Sequence, residues 1–342
     1  MNNLQRLRIK KHYKDSVPGK FFLRTRDSVR SLSYLLKFYS NCFTAEKISD
    51  IQVVSIEFCA ICNLDCRYCF LEKRNRPSFL ALDIYEKLLN ELCENMNYAI
   101  KILEWPISGC FFLHPDYREI IAITREYKDK YRNFKPWIIL NDNMMLFEEE
   151  KVDFILENGI VNQIICSIDG VDKETFERMR PGADFETVLK HTSYLLSKNR
   201  NAKNRAVIQV NNGCDFTCNL EKIDARLEQV FYQADHLTRW EPSDWNDSFH
   251  TQNERYVPAN NFCSFVFESV SLSTAGAIIK CCMDLQESTR YGDFTKHSLE
   301  SIWLSQARKD FLRLMHVGKR HLIPGCNKCS IGYVSQNRLA YY

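Results

Sequence analysis

Residues 59–70 read CAICNLDCRYCF, and within them Cys62, Cys66 and Cys69 keep the spacing C-x3-C-x2-C. Thiols this dense serve one of three ends: a disulfide knot, a zinc site, or a cradle for an iron–sulfur cluster. The first needs an oxidising compartment. The opening MNNLQRLRIKK has no apolar stretch of the kind a secretory signal carries. Charges interrupt every apolar run before the roughly 18 residues of a membrane helix. The expected location is the reducing cytoplasm, where fifteen cysteines are better read as ligands, catalytic groups and core residues than as disulfides. Zinc sites bring paired C-x2-C units or histidines. None follows nearby, and His114, His236, His250 and His297 form no spaced ligand set. Three thiolates on a tight loop suit three irons of a [4Fe–4S] cube, with the fourth iron open to another ligand. Cys59, alternating along the preceding strand, reads as a core thiol.

The elements that must position this loop follow from periodicity. From residue 51 short β-branched runs alternate with segments of helical apolar period. IQVVSIEF (51–58), AIKILEW (99–105), PWIIL (136–140), NQIICSID (162–169), RAVIQV (205–210) and DHLTRW (235–240) read as strands. Residues 80–96, 116–131, 146–159, 173–179, 185–198 and 220–231 read as helices, with Gly159 at a C-terminal cap. The alternation predicts an α/β fold on a parallel sheet, open or closed, with functional groups at the C-terminal strand ends. After Trp240 the polar, turn-rich stretch 241–262 reads as a linker. Beyond it come a β-hairpin and a helix over 298–315. At 45% hydrophobic and 26% charged residues the chain has an ordinary globular composition, and a net charge of +3 is no argument for nucleic acid. Nine Lys and Arg between Arg6 and Arg30 make residues 1–50 a basic extension, either solvated or a dock for an anionic partner.

With Tyr68 as the aromatic residue before the last cysteine, CNLDCRYCF resembles the hallmark of the radical S-adenosylmethionine (SAM) superfamily. The resemblance covers residues 51–240 and implies a partial (β/α)6 barrel. It also implies SAM bound to the open iron and cleaved by one electron to methionine and a 5′-deoxyadenosyl radical, which takes hydrogen from an unactivated C–H bond. CSIDG (166–170) is similar to the family's fourth-strand segment, which makes Ser167 and Asp169 candidates for the ribose side of the cofactor. ETFERMR (174–180) extends the likeness to Arg180, and Asn141, Asp142 and Asn143 stand against a common Thr-Asn-Gly turn. In ISGCFFLHPD, Gly109 is kept from the turn that holds the SAM ammonium, but Cys110 stands in the glutamate's place. Tyr68, Gly109, Ser167, Asp169 and Arg180 are thus the expected cofactor-binding residues.

Cys263, then Gly276 with Cys281 four residues beyond it, then Cys326 and Cys329 in PGCNKC, resemble the auxiliary-cluster modules known as SPASM and its shorter twitch form. The resemblance implies that residues 263–342 are a small β-hairpin/helix twitch (SPASM-like) domain whose four thiolates hold a second [4Fe–4S] cluster. The alternative for those sulfurs is zinc. Cys282, beside Cys281, falls on the opposite face of a hairpin.

A one-cluster twitch arrangement is similar to that of enzymes oxidising an aminocyclitol. The favoured expectation is therefore an oxidoreductase that takes hydrogen from a sugar or aminocyclitol, with the auxiliary cluster as electron acceptor and a flavodoxin- or ferredoxin-type donor. Epimerisation is an alternative, with Cys214 or Cys218 returning hydrogen. A further alternative is peptide maturation, and the last is an iron–sulfur or zinc binding protein without turnover. Trp240, Trp245 and Asn246 are either substrate contacts or packing at the barrel mouth.

Overall fold

The computed structural model describes residues 51–69, 71, 78–95, 98, 100–213, 220–240, 263, 265–284, 286–316, 319–327 and 329. The basic extension, the linker, Cys214, Cys218, Trp245 and Asn246 lie outside these residues, as does the side chain of Trp240. Six parallel strands stand side by side in chain order: β1 (Val53–Ile56), β2 (Ile102–Trp105), β3 (Trp137–Asp142), β4 (Gln163–Ser167), β5 (Val207–Gly213) and β6 (His236–Trp240). Between them run α1 (Leu82–Glu94), α2 (Tyr117–Lys130), α3 (Glu149–Asn158), α4 (Lys173–Met179), α5 (Phe185–Asn201) and α6 (Leu220–Val230). The expected strand–helix alternation is thus the observed one. Local chemistry sets the boundaries. Asp172 and Asp184 accept from Thr175 N and Thr187 N to start α4 and α5, and Gly159 ends α3 at φ +63°.

The two faces of the sheet differ in kind. Val54, Ile56, Leu103, Trp105, Ile138, Leu140, Ile164 and Val210 are fully buried. The helices cover this face. Phe58, next beyond β1, meets Tyr85 of α1 at 5.0 Å and Trp105 at 5.6 Å between ring centroids. Each such side chain contributes about 1.5–3 kcal/mol. Alternation sends the intervening residues to the other face, where polar side chains stand among aliphatic ones such as Ile139 and Ile165. Ser55 donates to Glu104 (2.9 Å), Gln163 to Gln209 (2.9 Å), and Gln209 to Thr238 (3.0 Å).

The C-terminal hairpin joins this sheet. β7 (Ser269–Leu272) runs parallel to β1, from Val53↔Ser269 to Ile56↔Leu272, and β8 (Ala277–Ile279) and β9 (Arg290–Asp293) follow antiparallel. The described sheet therefore has nine strands in the order β6-β5-β4-β3-β2-β1-β7-β8-β9. Val270 and Leu272 enter the same core as Val54 and Ile56. A short helix, α7 (Phe265–Glu268), precedes β7. The single helix expected over 298–315 is two, α8 (Leu299–Trp303) and α9 (Gln306–His316). Ser298 and Ser305 explain the break: each hydroxyl accepts from a backbone N–H three residues on, at 3.2 and 3.3 Å, so each starts its own helix.

Candidate active site and iron–sulfur positions

The loop of Cys62, Cys66 and Cys69 leaves the C-terminal end of β1 and is fixed by backbone bonds from two sides. Cys110 N donates to Ile61 O (3.0 Å), while Asp65 N and Arg67 N donate to Pro181 O (3.0 Å) and Met179 O (3.1 Å). Gly109 makes the first approach possible. It sits at φ +70°, and a Cβ there would lie 2.2 Å from Cys59 O and 2.6 Å from Ile61 O. Cys66 is buried, Cys62 half-buried and Cys69 exposed. Burial pushes the Cys62 and Cys66 thiols up. Asn143 donates its amide to Cys62 Sγ at 3.7 Å and to Asn63 Oδ1 at 3.0 Å. Cys59 is fully buried, with its thiol pushed up to about 12 by burial, as suits a core residue.

Asp169 is fully buried just past β4 and gathers several elements. Its Oδ2 accepts from Tyr68 OH and from Arg180 Nε (2.6 Å), and its Oδ1 from Gly213 N at the end of β5 (2.6 Å). Burial pushes the Tyr68 phenol well up, so it remains a donor. Four of the expected cofactor residues therefore stand in one place: Tyr68 on the cysteine loop, Ser167 ending β4, and Asp169 joined to Arg180. Asp169 forms the wall that anchors Tyr68 and Arg180, and Ser167 is the half-exposed member of the expected ribose pair.

The turn after β3 falls one residue later than the sequence alignment places it. Met144 takes φ +65°, the glycine-like position, so Asp142, Asn143 and Met144 form the turn. Asp142 Oδ1 accepts from Met144 N at 2.7 Å, whereas Oδ2 is buried without a hydrogen bond. Burial pushes the Asp142 carboxyl up to about 7. Cys110 is buried close by and burial, with Asp142 next, pushes its thiol far up, so it is a protonated core thiol.

The second set of thiols comes from separate segments: Cys263 before α7, Cys281 after β8, and Cys326 and Cys329 on a turn near the end of the described chain. They feel one another. Burial pushes Cys263 up to about 11, with Cys329 adding to it. Burial also pushes Cys326 to about 12, where Cys263 and Cys329 raise it further while Lys280 and Arg320 oppose them. Cys281 is raised by burial and by Cys282, Cys263 and Cys326. Arg320 donates to Cys326 O and Cys329 O, both at 3.0 Å, and Lys280 to Pro324 O at 2.9 Å.

Both sets fit an iron–sulfur group on donor chemistry. Each offers soft sulfur, and burial makes Cys62, Cys66, Cys263, Cys281 and Cys326 resist ionising alone, a resistance that bound iron removes by deprotonating its ligands. Among the described residues, no three His, Cys, Asp or Glu side chains are drawn close enough to hold a metal ion as they stand. Each set is a ring of neighbours, not a closed cage. Sequence reasoning missed Asn143 as a partner of Cys62, and missed Lys280 and Arg320 altogether. It also missed Glu104, although the single charge in the apolar run ILEW (102–105) was a signal.

A parallel partial barrel with a cysteine loop at its first strand end, extended by a cysteine-bearing hairpin, defines an iron–sulfur protein of the radical SAM type. The family models agree: residues 56–216 match the radical SAM superfamily and residues 263–330 match the iron–sulfur cluster-binding SPASM domain. The chain is a radical SAM protein with a C-terminal SPASM domain, and its cofactors are [4Fe–4S] clusters and SAM. No curated protein matches it in sequence. Similar solved structures include native anSMEcpe with bound AdoMet, at 15% identity and TM-score 0.60, covering 85% of this chain and 95% of that one. BtrN in complex with AdoMet and 2-DOIA is similar at 15% identity and TM-score 0.55, covering 82% and 92%. SuiB of Streptococcus suis bound to the precursor peptide SuiA is similar at 13% identity and TM-score 0.59, covering 83% and 72%. Among the described residues no helix is long and apolar enough to cross a membrane.

Proposed function

We propose that this protein is a two-cluster radical SAM oxidoreductase that converts a carbinol of a small polyhydroxylated molecule, a sugar or aminocyclitol, to a ketone. The observation that carries the reading is the inner face of the sheet. Ser55, Asn141, Ser167, Asn211 and Thr238 present neutral hydrogen-bonding groups there, with Glu104 as a carboxylate among them. Such groups pair with hydroxyl and amino groups one by one, while Ile139 and Ile165 between them offer apolar contact to a ring. BtrN, whose complex holds the small molecule 2-DOIA, has a similar fold.

Cys62, Cys66 and Cys69 would hold the cluster that binds SAM, and Cys263, Cys281, Cys326 and Cys329 the auxiliary cluster. When bound, SAM with its cluster supplies an acceptor for one hydrogen atom, and the auxiliary cluster an acceptor for one electron. The protein's own task is the remaining proton. Glu104 takes the hydroxyl proton at its carboxylate, which the Ser55 hydroxyl orients through the bond to Oε2. Hydrogen atom, proton and electron together leave C=O in place of CH–OH. Tyr68, Arg180 and Asp169 fix the wall beside the cofactor, and Gly109 lets its turn lie against the cysteine loop.

The test is anaerobic incubation of the reduced, cluster-loaded protein with SAM, a flavodoxin- or ferredoxin-type donor, and a panel of aminocyclitols and sugars. The expected result is 5′-deoxyadenosine together with a product lacking two hydrogens. Glu104→Gln should lose the ketone while still cleaving SAM. Turnover stimulated by a precursor peptide and by no polyol would overturn the reading in favour of peptide maturation.

A further inference from the structure

We infer that Arg320 sets the reduction potential of the auxiliary cluster, as a positioning residue whose fixed buried charge makes that cluster an electron acceptor and not merely a structural staple. The inference rests on the reading that Cys263, Cys281, Cys326 and Cys329 hold that cluster. Arg320 is 3% exposed and grips the backbone of the thiol-bearing turn: Nε donates to Cys326 O and Nη2 to Cys329 O, each at 3.0 Å. The guanidinium is thereby held against the turn by a rigid two-pronged grip.

The second buried cation is arranged differently. Lys280 is 2% exposed and pairs with the fully buried Asp284 at 3.0 Å. It also donates to Pro324 O (2.9 Å) and Ser288 Oγ (2.5 Å). Lys280 and Asp284 cancel each other at a distance, so their work is mechanical: they tie the end of β8, next to Cys281, to the turn that carries Cys326. Arg320 reaches the turn directly. A four-thiolate [4Fe–4S] cluster becomes more negative when it takes up an electron, and in a buried site the added charge is poorly screened. A cation locked beside it stabilises the reduced form more than the oxidised form and raises the potential.

The experiment is a redox titration followed by electron paramagnetic resonance on the loaded full-length protein, comparing wild type with Arg320→Gln and Arg320→Lys. Adding SAM tells the clusters apart, because it perturbs only the one with an open iron. The expected result is a fall in the auxiliary midpoint for Arg320→Gln of at least tenfold in the one-electron equilibrium, about 59 mV. Arg320→Lys, which keeps the charge, should stay within that limit of wild type. An unshifted Arg320→Gln, or equal shifts in both variants, would overturn the inference. Should Arg320→Gln not load its auxiliary cluster, Arg320→Lys decides, since a tenfold shift there overturns it as well. Failure of the underlying reading looks different: wild type would carry about four irons per chain instead of about eight.

Discussion

The two cysteine sites solve one problem in opposite ways. The first keeps Cys62, Cys66 and Cys69 within eight residues on one loop. Cys110 N donates to that loop, Met179 O and Pro181 O accept from it, and Cys69 remains exposed. The second draws Cys263, Cys281, Cys326 and Cys329 from distant positions and surrounds them with buried cations. A site that must admit a cofactor and deliver a radical has its open side built in by the short loop. In the proposed function the second site only passes charge and needs no such opening. Proximity in sequence thus goes with one exposed thiol, Cys69, and distance in sequence with none.

The largest test of this contrast is to remove one ligand from each site. Cys62→Ala should abolish 5′-deoxyadenosine formation, whereas Cys281→Ala should still cleave SAM and fail to release ketone. Liquid chromatography of both products checks it, and equal losses in the two variants would erase the distinction. A smaller effect should appear at the wall of the first site. Asp169→Asn leaves Arg180 buried beside a neutral amide, which should cost about 3–5 kcal/mol of folding stability by denaturant unfolding. A loss below about 1 kcal/mol would show that the wall does not depend on this pair.

The smallest test reads pH. The Asp142 carboxyl, pushed up to about 7 by burial, binds a proton in the folded protein that the unfolded chain has already released above about pH 4. Its favourable contribution is therefore complete below about pH 4 and is lost as pH rises to 7. Asp142→Asn should gain on wild type over that interval, by at most about 4 kcal/mol. Matched unfolding series at equal cluster loading would show it, and parallel pH profiles would mean that Asp142 ionises freely.

Much of this architecture was legible before any coordinates. Strand and helix periods placed all six core strands, and the cysteine loop announced itself because its ligands are local. Gly159 was readable as a cap because glycine alone takes φ +63° without strain. What escaped depends on contacts between remote segments or on residues out of character. Nothing in SVSL says that β7 will pair with β1, since β propensity does not name a partner. Met144 conceals a left-handed turn that a glycine would have advertised. Arg320 lies six residues before Cys326 at no recognisable spacing, so only the folded turn reveals what it holds.

The parallel pairing of β1 with β7 also orders events in time. Val53 finds Ser269 only after about two hundred further residues have been made, which at about 5–20 residues per second is on the order of tens of seconds. Throughout that interval one edge of β1 offers unpaired backbone groups to any passing strand. The loop that follows it holds its thiols beside an unfinished sheet. Maturation of the first iron site is thus tied to a hairpin made about two hundred residues later, so a product lacking that hairpin would lose more than its auxiliary cluster.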